Sequence, residues 1–148
     1  MKTTLMKLLV VSLFAAGFAS CNKEGANPSP SAIFLTQQAW KFEIYGLDEN
    51  NNGVIEASEN AMQSCESDDA FTFYLNGTGI YQSGAVKCTV DDPTSLNLSW
   101  HFTNNETELQ IFTAPEKISK LDETTLEIYY LELNSQGQQV KYIRRFHH

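Results

Sequence analysis

From Trp40 onward, apolar side chains fall at every second position of short runs, with polar residues between them. Trp40, Phe42 and Ile44 set the pattern, and Leu96, Leu98, Trp100 and Phe102 repeat it. A strand turns successive side chains to opposite faces, so this period places one apolar face inward and one polar face outward, whereas a helix would need apolar residues three and four apart. Phe71-Phe73-Leu75, Gly79-Ile80-Tyr81, Leu109-Ile111, Ile118-Leu121, Leu126-Ile128-Tyr130 and Val140-Tyr142 are further candidates. Turn chemistry separates the runs at Asn76-Gly77-Thr78-Gly79, Asp91-Asp92-Pro93, Asn104-Asn105, Leu121-Asp122-Glu123 and Asn134-Ser135-Gln136-Gly137. The pattern predicts an all-β domain of about eight short antiparallel strands, closed as a barrel or stacked as a sandwich. Helix is confined to a short turn over 34–39.

The beginning of the chain has another layout. Lys2 and Lys7 precede an apolar run from Leu8, and small residues lead to Cys21, as in a secretory signal. Phe18-Ala19-Ser20-Cys21 resembles the lipobox of bacterial lipoproteins, in which cleavage precedes a cysteine that is then acylated. The apolar stretch is too short for a transmembrane helix. Residues 1–20 are therefore expected to be a signal peptide and Cys21 a lipid anchor to the bilayer, because several acyl chains hold where one binds only marginally. The expected location is the bacterial cell envelope, on the outer membrane, with the leaflet open. Residues 21–32, rich in Asn, Pro, Ser and Gly, read as a flexible tether, and 33–148 as one domain long enough to bury a core. An ordinary signal peptide with a chance cysteine is the competing reading.

With Cys21 acylated, Cys65 and Cys88 remain as an even pair outside the reducing cytoplasm, which predicts a disulfide. A thiolate metal site is the alternative, but neither nearby histidines nor further cysteines accompany the pair. The net charge of −8 falls to about −10 when residues 1–20, which hold Lys2 and Lys7 and no acid, are removed. Such a chain is not expected to bind nucleic acid or anionic lipid surfaces by charge. The acids concentrate between Lys41 and Lys87, where no basic side chain occurs.

Within that region DENNNGVIEASE matches a calcium loop at each fixed position. Asp48, Asn50 and Asn52 would supply side-chain oxygens, Val54 its carbonyl, Glu56 a contact through water and Glu59 a bidentate carboxylate, with Gly53 at the sharp turn. The flanking amphipathic helices of an EF-hand are missing. A single structural Ca²⁺ of weak, extracellular-type affinity is one reading; turn chemistry, which uses Asp, Asn and Gly in any long polar connection, is the other. Catalysis finds little support. His101 falls among the polar alternates of its run, no serine or cysteine motif accompanies it, and Asp68 and Asp69, being adjacent, should point to opposite faces of a strand. No enzymatic activity is expected.

Leu35-Thr36 before Trp40-Lys41, then CESDDAFTFYLNGTGIY, a second Cys, LSWHF, ELQIF and a closing run ending in Tyr142, Arg144 and Phe146 resemble the lipocalin-like domain of small secreted bacterial lipoproteins. The resemblance covers roughly 33–147. It implies an eight-stranded antiparallel up-and-down barrel, some members carrying an Asp/Asn/Gly-rich insertion before the first cysteine. It also implies that Trp40, Phe42, Phe71, Phe73, Trp100 and Phe102 could line a cavity for a small hydrophobic ligand. Those same rings could fill the core, leaving a non-enzymatic surface module that acts through protein contacts. Both readings stand at this level.

Overall fold

The computed structural model describes residues 27–111 and 113–148. The expected signal peptide and the expected acylation site Cys21 lie outside these residues. The first element among the described residues is α1, Pro30–Thr36. Ser29 caps it, its Oγ accepting the Ala32 N–H at 3.1 Å, and Pro30 occupies the first turn, where no backbone N–H is needed. Residues 30–32 thus belong to a helix and not to the tether, and the helical turn expected over 34–39 begins and ends earlier. Eight strands follow: β1 Trp40–Asp48, β2 Ala70–Phe73, β3 Thr78–Gln82, β4 Ser95–Thr103, β5 Glu108–Ile111, β6 Ala114–Leu121, β7 Thr125–Leu133 and β8 Gln139–His147. A 3₁₀ turn at Ser64–Glu66 interrupts the long β1–β2 connection.

Each strand pairs antiparallel with its sequence neighbours, and β8 pairs with β1, so one sheet closes into a barrel. The closure answers the choice left open between barrel and sandwich. Paired residues share a face, which assigns the interior: Phe42, Phe146 and Leu126 lie in line across β1, β8 and β7, and Trp100 and Ile111 across β4 and β5. Trp40, Leu35, Leu109, Leu126 and Ile128 are fully buried in one apolar cluster with Phe73, Trp100 and Phe146. Leu35 and Ala32 bring α1 onto this cluster, closing that end of the barrel. The Trp40 indole N–H donates to the Leu35 carbonyl at 2.9 Å, satisfying an oxygen that the end of a helix leaves without an intrahelical partner.

Two bulges change the inward pattern. In β1 the register against β8 shifts between Phe42 and Ile44, so Phe42 aligns with Phe146 and Tyr45 with Arg144. Phe146 and Arg144 are two apart and share a face; Phe42 and Tyr45, three apart, therefore both face inward. Ile44, which alternation alone assigns to the inner face, aligns with Arg145 and turns outward. The same shift in β6 keeps both Ile118 and Leu121 inside.

β2 pairs with β1 only at Trp40 and Lys41. Further along, the β1–β2 connection takes that edge: the Ala61 N–H donates to the Tyr45 carbonyl at 2.8 Å and Gly46 bridges Asn60. Ile55 from this connection is buried, as is Ile143 on the outward face of β8. Gly46 permits the approach, since a Cβ there would stand 2.0 Å from the Glu59 carbonyl oxygen.

Candidate functional site

Away from α1 the interior is no longer apolar. A cavity of about 400 Å³ is lined by Phe42, Tyr45, Glu66, Tyr130, Tyr142 and Arg144. All but Glu66 come from inward positions of β1, β7 and β8. Tyr130 and Tyr142 stack with centroids 5.1 Å apart and 17° between planes, and Tyr45 lies 6.1 Å from Tyr142. Burial first, then a 2.6 Å hydrogen bond donated to Glu66, raises the Tyr45 phenol above its ordinary range. Arg144 forms an ion pair with Glu116 from inside β6, its Nε 3.0 Å from Oε2 and its second nitrogen at the other oxygen. Burial lowers the guanidinium's pKa, yet an arginine begins so far above neutrality that it stays charged.

Glu66 reaches the mouth because the segment before β2 is tied down. Its carboxylate also accepts the Gln63 N–H at 2.8 Å, and the neighbouring Cys65 is joined to Cys88 with Cα atoms 5.2 Å apart, as the cysteine count predicts. The disulfide fastens the β1–β2 connection to the β3–β4 loop. Asp68 and Asp69 strengthen that junction: they accept the N–H groups of Ala85 at 2.8 Å and Gly84 at 2.7 Å. The two carboxylates therefore serve one loop, contrary to the expectation of opposite strand faces, because both precede β2 and neither obeys strand alternation. Asp69 also accepts from the Tyr81 hydroxyl at 2.6 Å, and Tyr81, like Tyr45, is held neutral beyond its ordinary range, by burial first and this bond second. A second cavity of about 420 Å³, which includes Tyr81, Leu96 and both cysteines, shares Glu66 as a wall with the first.

Of the six aromatics considered as cavity lining, Phe42 is the one that reaches the mouth cavity. Trp40, Phe71, Phe73 and Trp100 are buried in the apolar cluster, and Phe102 packs against it. The mouth residue that the alternation could have revealed is Arg144, a charge two residues past Tyr142 on the inward face of β8; its partner Glu116 lies behind it, before the expected Ile118-Leu121 run. Tyr45 carries no such signal, because the bulge that turns it inward is a property of the β1–β8 register. His101 is exposed, between Trp100 and Phe102 on β4.

The acidic loop lies outside the barrel. Asp48, 1% exposed, accepts the Asn52 and Gly53 N–H groups, one on each oxygen, at 3.0 and 2.9 Å. Asn50 and Asn52 accept from the N–H two residues on, Gly53 has φ +81°, and Glu59 accepts from Glu49 and Glu56. Glu56 takes the Asn52 amide at 2.6 Å, and hydrogen bonding, with Glu59 first and Asn52 next, lowers its pKa. Val54 is exposed. Among the described residues no group of three or more His, Cys, Asp or Glu is placed to hold a metal ion. The oxygens that the sequence motif singles out, on Asp48, Asn50, Asn52, Val54, Glu56 and Glu59, are of the hard type calcium takes, but their carboxylates are not gathered as a metal-holding group. Each oxygen of Asp48 and Glu59 accepts one N–H and keeps a further lone pair, so these bonds order the loop without excluding a cation.

Neither the family models nor the curated proteins with which the chain was compared match it. Fold and site together define a closed antiparallel barrel, packed at one end and carrying an aromatic, charged cavity at the other.

Proposed function

We propose that this protein is a lipid-anchored, lipocalin-like binding module of the bacterial cell envelope that holds a small molecule in the mouth of its barrel. The observation that carries the reading is the cavity of about 400 Å³ among Phe42, Tyr45, Tyr130, Tyr142, Glu66 and Arg144, within the size range of small-molecule sites. A barrel meant only as a packed scaffold gains nothing from an arginine, a glutamate and three tyrosines turned inward. The lining also shifts the expected ligand from a purely apolar molecule to one with both an apolar face and a polar group. Anchoring rests on the Phe18-Ala19-Ser20-Cys21 sequence. NMR titration with a library of small aromatic and aliphatic fragments tests the site: hits should move the resonances of Tyr45, Tyr130 and Tyr142. A screen in which no fragment perturbs them returns the protein to the class of filled-core interaction modules. Intact mass measurement should find acyl chains at Cys21, and Cys21→Ala should free the protein from the membrane.

The acidic loop has a separate, structural role in this proposal. One Ca²⁺ would be held by Asp48, Asn50, Asn52, Glu59 and the Val54 carbonyl, with Glu56 acting through water. It would neutralise carboxylates gathered on a connection that lacks basic residues. Binding to the folded state alone raises stability by RT ln(1 + [Ca²⁺]/Kd), so millimolar calcium should raise Tm over chelator, and magnesium should do less. Glu59→Gln should remove the calcium effect and leave the barrel folded. Equal Tm of the wild type in calcium and in chelator leaves the loop as turn chemistry only.

A further inference from the structure

The charges at the barrel mouth are not balanced. Arg144 is the one basic residue in the cavity lining, and its guanidinium is paired with Glu116 behind it. Lys41, Lys141 and Arg145 align with outward positions of the β1–β8 pair and stand on the other face of the sheet. Glu66, by contrast, accepts from neutral donors, the Tyr45 hydroxyl and the Gln63 N–H, and forms no ion pair among the described residues. Glu132 aligns with the buried Val140 and brings a second carboxylate to the rim. Burial first, then the nearby carboxylates of Glu132 and Glu66, raises the Tyr142 phenol above its ordinary range. The walls between them are the rings of Phe42, Tyr45, Tyr130 and Tyr142.

Aromatic faces carry negative charge density, and rings beside an unmatched carboxylate attract a cation with a hydrocarbon surface. We infer that the mouth binds a small organic cation, an ammonium carrying an apolar or aromatic body, with the ammonium among the tyrosine rings and facing Glu66. This rests on the reading of the mouth as a ligand site. An anionic ligand would meet a guanidinium whose charge Glu116 already offsets, and it would stand beside the like charge of Glu66. A neutral ligand would leave Glu66 unmatched in a partly closed site.

Calorimetric titration of the purified protein with benzyltrimethylammonium, benzyl alcohol and benzoate separates the cases. The ammonium should bind at least about tenfold tighter than the alcohol, and benzoate should be weakest. Glu66→Gln keeps the volume and an oxygen to accept from Tyr45; it should weaken the ammonium about tenfold more than it weakens the alcohol. Tyr142→Phe should retain the ammonium and Tyr142→Leu should weaken it, since the ring face and not the hydroxyl makes the contact. Equal binding of ammonium and alcohol, unaffected by Glu66→Gln, overturns the cation inference but keeps the binding site. Preference for benzoate does the same in favour of Arg144. Absence of heat with all three, together with no fragment binding at the mouth, removes both the inference and the reading beneath it.

Discussion

The two ends of this barrel are built from the same strands and do opposite things. At the α1 end, Leu35, Trp40, Leu126 and Phe146 are at most 2% exposed, and the indole N–H of Trp40 has its carbonyl partner. At the mouth, the continuing inward positions hold Tyr45, Tyr142, Arg144 and Glu132, and Tyr130 remains 39% exposed. Stability comes from close packing, whereas binding needs unfilled space with polar groups ready to meet a ligand. In this barrel the packed cluster and the proposed binding cavity are separated along the axis.

Mutations should divide along the same line. Trp40→Ala at the closed end should have the largest effect, about 4 kcal/mol of stability by urea unfolding, because a large fully buried ring leaves a cavity that the closed sheet cannot collapse to fill. A loss under about 1 kcal/mol would mean that α1 does not seal that end. Arg144→Met, at the boundary, leaves Glu116 buried without its partner and should cost up to about 3 kcal/mol, tempered because the Arg144 side chain is 29% exposed. Adding Glu116→Leu should restore most of that loss. If the double variant is no better than the single, the pair is a strut and not a polar floor under a cavity. Tyr142→Leu, in the mouth, should change stability by less than about 1 kcal/mol.

The smallest effect should come from alkaline pH. Tyr45 and Tyr81 are held in their neutral forms beyond the ordinary phenol range, by burial first and by the hydrogen bonds to Glu66 and Asp69 second. The folded state therefore binds these protons more tightly than the unfolded chain. The resulting stabilisation is complete below the unfolded phenol pKa, about 10, and is lost as pH rises beyond it. Absorbance titration of tyrosinate should show these two residues ionising late, with Tyr45→Phe removing one of the late steps. Ordinary titration of all tyrosines would place Tyr45 in free solvent and weaken the picture of a built mouth.

Much of this structure is readable from residue spacing. Period two requires strands, because only an extended chain sends alternate side chains to opposite faces, and the Asn-Gly and Asp-Pro signals place the reversals between them. Cys65 and Cys88 pair as their number predicts. The α1 end was legible for the same reason: Trp40, Phe71, Leu98 and Trp100 are apolar residues at alternating positions, and such residues are buried wherever the sheet closes. Arg144 continues the spacing of the Val140-Tyr142 run and was legible as a charge on its inner face, whereas Glu116 precedes the expected Ile118-Leu121 run and nothing local says that the two meet.

Tertiary structure alone decided the mouth. Tyr45 and Ile44 exchange faces because β1 slips by one residue against β8, and a slip belongs to the pairing of two strands 100 residues apart. Glu66 becomes a wall because a disulfide and two aspartates fasten its segment to the β3–β4 loop. Local sequence determines which face a residue prefers, since that preference is a property of one strand and its solvent. Which polar groups share a cavity depends on register and loop anchoring, and these are fixed only when distant segments meet.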